Sequence, residues 1–134
     1  MLTRRHMMVA AASALAFGAA LTFAPFAQAA PQAYSQQAFA TAQAAGKPIL
    51  LHITAPWCPT CKAQKPIVGK LDTEPKFKNL VVLDIDFDSQ KALLRKLHVV
   101  QQSTLIAYKG KTEVGRSVGD TNAASIAALV DKTL

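Results

Sequence analysis

Thr54-Ala55-Pro56-Trp57-Cys58-Pro59-Thr60-Cys61-Lys62 holds the only two cysteines of the chain, spaced Cys-x-x-Cys. An apolar run, Ile49-Leu50-Leu51-His52-Ile53, comes just before it, and a helix-compatible segment from Lys62 to Leu71 follows. The cysteines therefore stand where a buried strand hands over to a helix. Cys58 falls at the helix N-terminus, with Pro59 at the first helical position, where the missing N–H removes no intrahelical bond. Unpaired N–H groups and the helix dipole favour a negative charge at that end. A thiolate is such a charge, and helix N-termini lower cysteine pKa values. Cys61 lies about one turn deeper and within disulfide reach. The arrangement suits an exposed nucleophile and a sheltered resolving thiol.

Other uses of the pair fit less well. A structural zinc site needs four ligands, and beyond residue 29 only His52 and His98 could join the two sulfurs. A purely stapling disulfide gains most by closing a long loop, and this loop is short. Spacing of two residues favours redox cycling.

The chain has 134 residues, enough for one domain. Its start reads as a secretory signal peptide over residues 1–29, leaving a domain at 30–134. Arg4 and Arg5 begin it, an uncharged alanine-rich run spans Met7 to Ala24, and Ala27-Gln28-Ala29 forms an A-x-A cleavage site. Retention as a membrane anchor is the alternative, because the run approaches the ~18 residues of a spanning helix. The adjacent arginines leave Sec and twin-arginine export both open. Export predicts a periplasmic or secreted protein, where a cysteine pair can stay oxidised. The net charge is +7, with Arg4 and Arg5 supplying two. The lysines are spread without interleaved aromatics, which predicts a solvated basic surface and no nucleic-acid partner.

Hydrophobic periodicity orders the domain. Ser35 caps a helix from Gln36 to Ala45, ended by Gly46. A strand at Ile49–Thr54 leads into a helix at Pro59–Leu71, burying Ile67, Val68 and Leu71. Asp72–Asn79 is a polar connection with room for a short turn. Leu80–Phe87 reads as a strand, and Asp88-Ser89 as the cap of a helix carrying Leu93, Leu94 and Leu97. Ser103–Tyr108 and Thr112–Ser117 form a hairpin around Lys109-Gly110-Lys111. A last helix carries Ile126, Leu129 and Val130. Crossover helices imply parallel strands first, with the hairpin adding an antiparallel edge. The expected class is α/β, a mixed sheet of four or five strands flanked by helices. Pro31–Tyr34 leaves little room for a first strand.

Trp-Cys-Pro-Thr-Cys-Lys after an apolar strand resembles the active site of the thioredoxin superfamily. Pro66 falls where thioredoxins carry the proline that kinks the active-site helix. The likeness runs from about Ser35 to the C-terminus and implies the thioredoxin fold. It also implies a thiol:disulfide oxidoreductase, with Cys58 attacking and Cys61 resolving the mixed disulfide. Substrates would be cysteine pairs of exported proteins. A membrane thiol carrier would recharge a reducing version, and a membrane oxidase an oxidising one. No organic cofactor or metal is implied, and the chain is expected to act as a monomer. The alternative is a copper-binding chaperone of the same fold, holding a soft metal on Cys58, Cys61 and His52.

The resemblance assigns supporting roles residue by residue. Pro59 and Thr60 tune the redox poise, and their difference from the Gly-Pro of reducing members predicts a less reducing couple. Trp57 is a flat wall beside the sulfurs, or core filler. Lys62 and Lys65 either raise the thiolate content of Cys58 or are solvated. His52 stands where thioredoxins carry a buried acid, and is either a proton relay to Cys61 or a core histidine. Asp84 is its expected partner. His98 follows a helix end and is expected to cap or be exposed. Ser103, before Thr104, stands where thioredoxins carry a cis-proline. A cis bond before serine costs roughly 2.5–4 kcal/mol against about 0.5–1 before proline. The expectation is a trans Gln102–Ser103 peptide, with the Ser103 hydroxyl turned toward the Cys58 sulfur.

Overall fold

Five consecutive residues, Ile49 to Ile53, are almost wholly shielded from water, as expected of a strand covered on both faces. This is β2 (Pro48–Thr54), the middle of the sheet. The computed structural model describes residues 31–134. The leader-like segment 1–29, and with it the expected cleavage after Ala29, lies outside the described residues. The elements run β1 (Gln32–Ala33), α1 (Gln36–Ala44), β2, α2 (Pro59–Leu71), β3 (Val81–Asp86), α3 (Lys91–Lys96), β4 (Thr104–Lys109), β5 (Thr112–Val118) and α4 (Ala123–Asp131). A short 3-10 turn, Pro75–Phe77, sits between α2 and β3 and buries Phe77.

The sheet order is β1-β3-β2-β4-β5. β3 runs parallel to both β1 and β2, β4 antiparallel to β2, and β5 antiparallel to β4. The expected mixed sheet is present, with five strands. The first strand exists despite the little room left for it. Two residues suffice because Tyr34 N–H extends the pairing by donating to the Asp84 carbonyl at 2.8 Å.

β2 divides two cores by the alternation of its side chains. Ile49, Leu51 and Ile53 pack with Phe39, Leu94 and Tyr108 on one face. Leu50 packs with Val68, Leu71, Ile126 and Val130, from α2 and α4, on the other. Each of these aliphatic side chains contributes about 1.5–3 kcal/mol by leaving water. His52, two residues after Leu50, therefore lies on the face turned to α2.

Local signals end the elements as the sequence indicates. Ser35 Oγ accepts from Ala38 N–H at 3.0 Å, and Gly46 closes α1 at φ +65°. Gly110 turns the β4–β5 hairpin at φ +56°, where a side chain would be strained. Ile67 is only half-buried, and Gln64 takes the core position in its place. One expected cap is wrong. Asp88-Ser89 does not cap α3, whose first residue follows Gln90 with no side-chain cap. Asp86 accepts from the Asp88 and Ser89 N–H groups and the Ser89 hydroxyl instead, at 3.1, 2.7 and 2.7 Å. A carboxylate one turn earlier reaches both amides, so the chain turns before the helix starts.

Candidate active site

β2 ends at Thr54, and four residues later Cys58 becomes the N-cap of α2 with Pro59 in the first turn. Cys58 Sγ accepts from Cys61 N–H at 3.1 Å, as a capping serine oxygen would. Cys58 and Cys61 are joined as a disulfide. Cys61 is fully buried, with its sulfur 3.9 Å from the Ile53 carbonyl. Cys58 was expected to be exposed and is not, at 2 %. Ala55 and Phe87 pack around the pair and cover its sulfur. Its neighbours Trp57 and Pro59 remain exposed.

The loop before β4 brings Ser103 to both sulfurs. Its Oγ lies 3.1 Å from Cys58 Sγ and 3.2 Å from Cys61 Sγ. Among the described residues no peptide bond is cis, so Gln102–Ser103 is trans as expected. The backbone compensates by another route. Ser103 sits at φ +61°, in the left-handed region, a placement that costs a non-glycine residue about 1–2 kcal/mol. Thr104 is buried, and its hydroxyl donates to the Gln101 carbonyl at 2.7 Å. It closes the loop and makes no hydrogen bond to the sulfurs.

Trp57 is not core filler. It is 56 % exposed, and its Nε1–H donates to Asp88 at 2.8 Å. That bond uses the carboxylate expected to cap α3. Thr60 is half-buried, while Lys62 and Lys65 are exposed. The turn presenting Asp88 depends on Asp86, whose carboxyl is held below the ordinary range chiefly by the Ser89 hydroxyl and amide. A carboxylate with a lowered folded pKa adds stability above its unfolded pKa, near 3.9, and loses it as pH falls through the folded value. Ser89→Ala is expected to raise the Asp86 midpoint, measured by carboxyl NMR titration. Acid-induced loosening of the Trp57–Asp88 turn, followed by tryptophan fluorescence, should then begin at a higher pH.

His52 is buried at 1 %, and its Nδ1 lies 3.1 Å from Asp84 Oδ1 across the β2–β3 pair. The expected His52–Asp84 partnership is present. The Asp84 side chain is 30 % exposed and keeps contact with water. His52 Nε2 has no hydrogen-bond partner among the described residues. His98 is exposed at φ +54°, just past α3.

The thioredoxin family profile matches residues 29–132. The chain belongs to the thioredoxin family. It is 34% identical over 101 residues to the thioredoxin of Chlamydia trachomatis, covering 75% of this chain and 96% of that one. The structure of Trxlp from Edwardsiella tarda EIB202 superposes with a TM-score of 0.73 at 40% identity, covering 75% of this chain and 98% of that one. A further match, 31% over 88 residues, spans 66% of this chain but only 19% of the bifunctional thioredoxin reductase/thioredoxin of Mycobacterium leprae. With its Cys58–Cys61 pair, the protein is a thioredoxin-type thiol:disulfide oxidoreductase. The soft-metal alternative has a thin donor set. Among the described residues no three or more His, Cys, Asp or Glu side chains gather.

Sequence reasoning missed Gln64. It is fully buried, and its Nε2 donates to the Ser103 carbonyl at 3.1 Å and the Asp120 carbonyl at 2.8 Å. The signal was a polar residue three positions after Cys61, in register with Val68 and Leu71.

Proposed function

We propose that the protein works outside the cytosol, exchanging disulfides with cysteine pairs of other exported proteins. Cys58 attacks and Cys61 resolves. The observation that carries the assignment is the Cys61 N–H donated to Cys58 Sγ at the start of α2. A reduced Cys58 thiolate keeps that donor and the helix dipole, while Cys61 lies deeper.

In the reducing direction, the Cys58 thiolate attacks one sulfur of a partner disulfide. The partner's S–S bond breaks and its second sulfur leaves as a thiolate. Cys61 then gives up its proton and attacks Cys58 Sγ, forming the Cys58–Cys61 bond and releasing the other partner sulfur. The partner gains two electrons, which the cysteine pair loses, and two protons, one from Cys61 and one from solvent. The reverse sequence oxidises a partner dithiol. His52 moves the Cys61 proton, and Trp57 offers a flat surface to the partner chain. A membrane thiol carrier or a membrane oxidase resets the pair, according to direction.

Support for export comes from the leader-like sequence: Arg4-Arg5, the uncharged run Met7–Ala24 and Ala27-Gln28-Ala29. N-terminal sequencing of the protein recovered from the extracytoplasmic fraction is expected to begin at Ala30. A start at Met1, with the protein held in the membrane fraction, would replace export by anchoring. Recovery from the cytosol alone would refute both.

A further inference from the structure

The buried stripe of α2 is Cys61, Gln64, Val68 and Leu71. Steps of three and four residues put these side chains on one face. Gln64 is the only amide among them. Two bonds run from Nε2 to the backbone carbonyls of Ser103 and Asp120, and Oε1 has no partner among the described residues. Exchanging the amide oxygen and nitrogen would set an oxygen against two carbonyl oxygens, so the partners fix the orientation. An unpaired buried acceptor is costly, and a leucine in this stripe would avoid it. What the glutamine supplies is a hold on two loops beside the disulfide.

One of those loops is the segment that ends in Ser103. Its N–H donates to the Ile53 carbonyl at 2.8 Å, and its carbonyl accepts from Gly119 N–H at 2.9 Å as well as from Gln64. Strand β2, the end of β5 and helix α2 thus grip one residue from three sides. The grip maintains φ +61°, a conformation that serine leaves when free to do so. In that conformation its hydroxyl reaches both sulfurs. A polar clamp that holds a strained residue against the reacting atoms calls for a chemical reason.

We propose that Gln64 is a positioning residue for disulfide exchange, anchoring Ser103 so that its hydroxyl donates to the Cys58 thiolate once the disulfide is reduced. Reduction breaks the S–S bond with two electrons from a partner dithiol, which becomes a disulfide. Cys58 is left as the thiolate, Cys61 takes one of the dithiol's two protons, and the other passes to solvent. A thiolate accepts a hydrogen bond more strongly than a disulfide sulfur does. The hydroxyl therefore favours the reduced form, lowers the Cys58 pKa and makes the couple less reducing. The inference rests on Cys58 being the thiolate, as proposed above. The other ionisable groups on the surrounding elements are Lys62, Lys65 and Lys70 on α2, His52 on β2, Asp84 and Asp86 on β3, Tyr108 and Lys109 on β4, and Glu113 and Arg116 on β5, with Asp88 beyond β3 and Asp120 after β5. All of them are kept in the test variants.

The test uses Ser103→Gly, Gln64→Leu and the double variant, with the rate of alkylation of the reduced protein followed against pH. Peptide mapping identifies the labelled cysteine. Glycine accepts φ +61° without strain, so Ser103→Gly removes the hydroxyl and leaves the fold relaxed. It is expected to raise the Cys58 midpoint by about one pH unit, the size of a hydrogen bond to a charged group. Gln64→Leu should raise it less, and should add nothing in the Ser103→Gly background. Both single variants should have more negative reduction potentials. Gln64→Met, similar in length and unbranched, stands in if the leucine variant melts early. An unmoved midpoint in Ser103→Gly, or a Gln64 effect that persists without the Ser103 hydroxyl, overturns the proposal. The cysteine labelled first reports separately on the Cys58 assignment, so either idea can fail alone.

Discussion

Cys58→Ser is expected to abolish disulfide exchange, lowering turnover on the order of 10³–10⁶-fold, as removal of a covalent nucleophile does elsewhere. Serine in that place keeps the Cys61 N–H bond and the N-cap, so α2 should survive the change. What is lost is the ionised sulfur, because a hydroxyl is not deprotonated near neutral pH. Cys61→Ser should behave differently. The mixed disulfide still forms at Cys58, but nothing inside the protein resolves it, so covalent complexes with partners accumulate. Thiol-blocked extracts run without reductant measure this directly. Abundant complexes with Cys61→Ser and few with Cys58→Ser are the expected pattern. Equal trapping by the two variants would reverse or erase the division of labour. If the trapped partners are cytosolic proteins, the extracytoplasmic setting fails while the chemistry stands.

The two cysteines were legible because their surroundings were. A continuous apolar run of five residues stopped by Ala55-Pro56 fits a strand covered on both faces, and a proline before a helix-compatible segment fits the first helical position. Those two signals place Cys58 at an N-cap before any coordinates are known. The trans peptide before Ser103 followed from an energy difference between serine and proline. The positive φ of Ser103 did not, because serine carries no sign of it. That conformation is imposed by Ile53, Gly119 and Gln64, residues far away in the chain. The mistaken cap at Asp88-Ser89 has a similar origin. Asp86, Asp88 and Ser89 are all plausible caps by type, and the choice between them is tertiary. Trp57 claims Asp88, and Asp86 is left to close the turn. The burial of Cys58 was hidden for a simpler reason. A motif shows that two thiols can meet, but not that Ala55 and Phe87 pack around the outer one.

His52→Leu is expected to slow release of the mixed disulfide by about 10²-fold, the low end of what a positioned acid or base contributes. Formation of the mixed disulfide should change little. Cys61 must lose its proton before it can attack Cys58, and its sulfur lies against the Ile53 carbonyl. His52 is the adjacent residue on β2, on the face turned to α2, with Nδ1 on Asp84 and Nε2 without a hydrogen bond among the described residues. A ring held by one nitrogen has the other available for a proton. The substitution is informative because it should not unfold the protein. Leucine fills a similar volume and removes a buried polar atom that lacks a partner. Asp84, 30 % exposed, can turn to water. Replacing a half-satisfied polar group by an apolar one of similar shape is often close to neutral. Stability by urea titration should therefore shift by no more than about 1 kcal/mol, within the usual range for such exchanges. Rapid-quench measurement of the two steps separately should place the loss in release and leave formation at the parental rate. A variant that is strongly destabilised yet releases partners at the parental rate would leave His52 as a packing residue and remove it from the proton path.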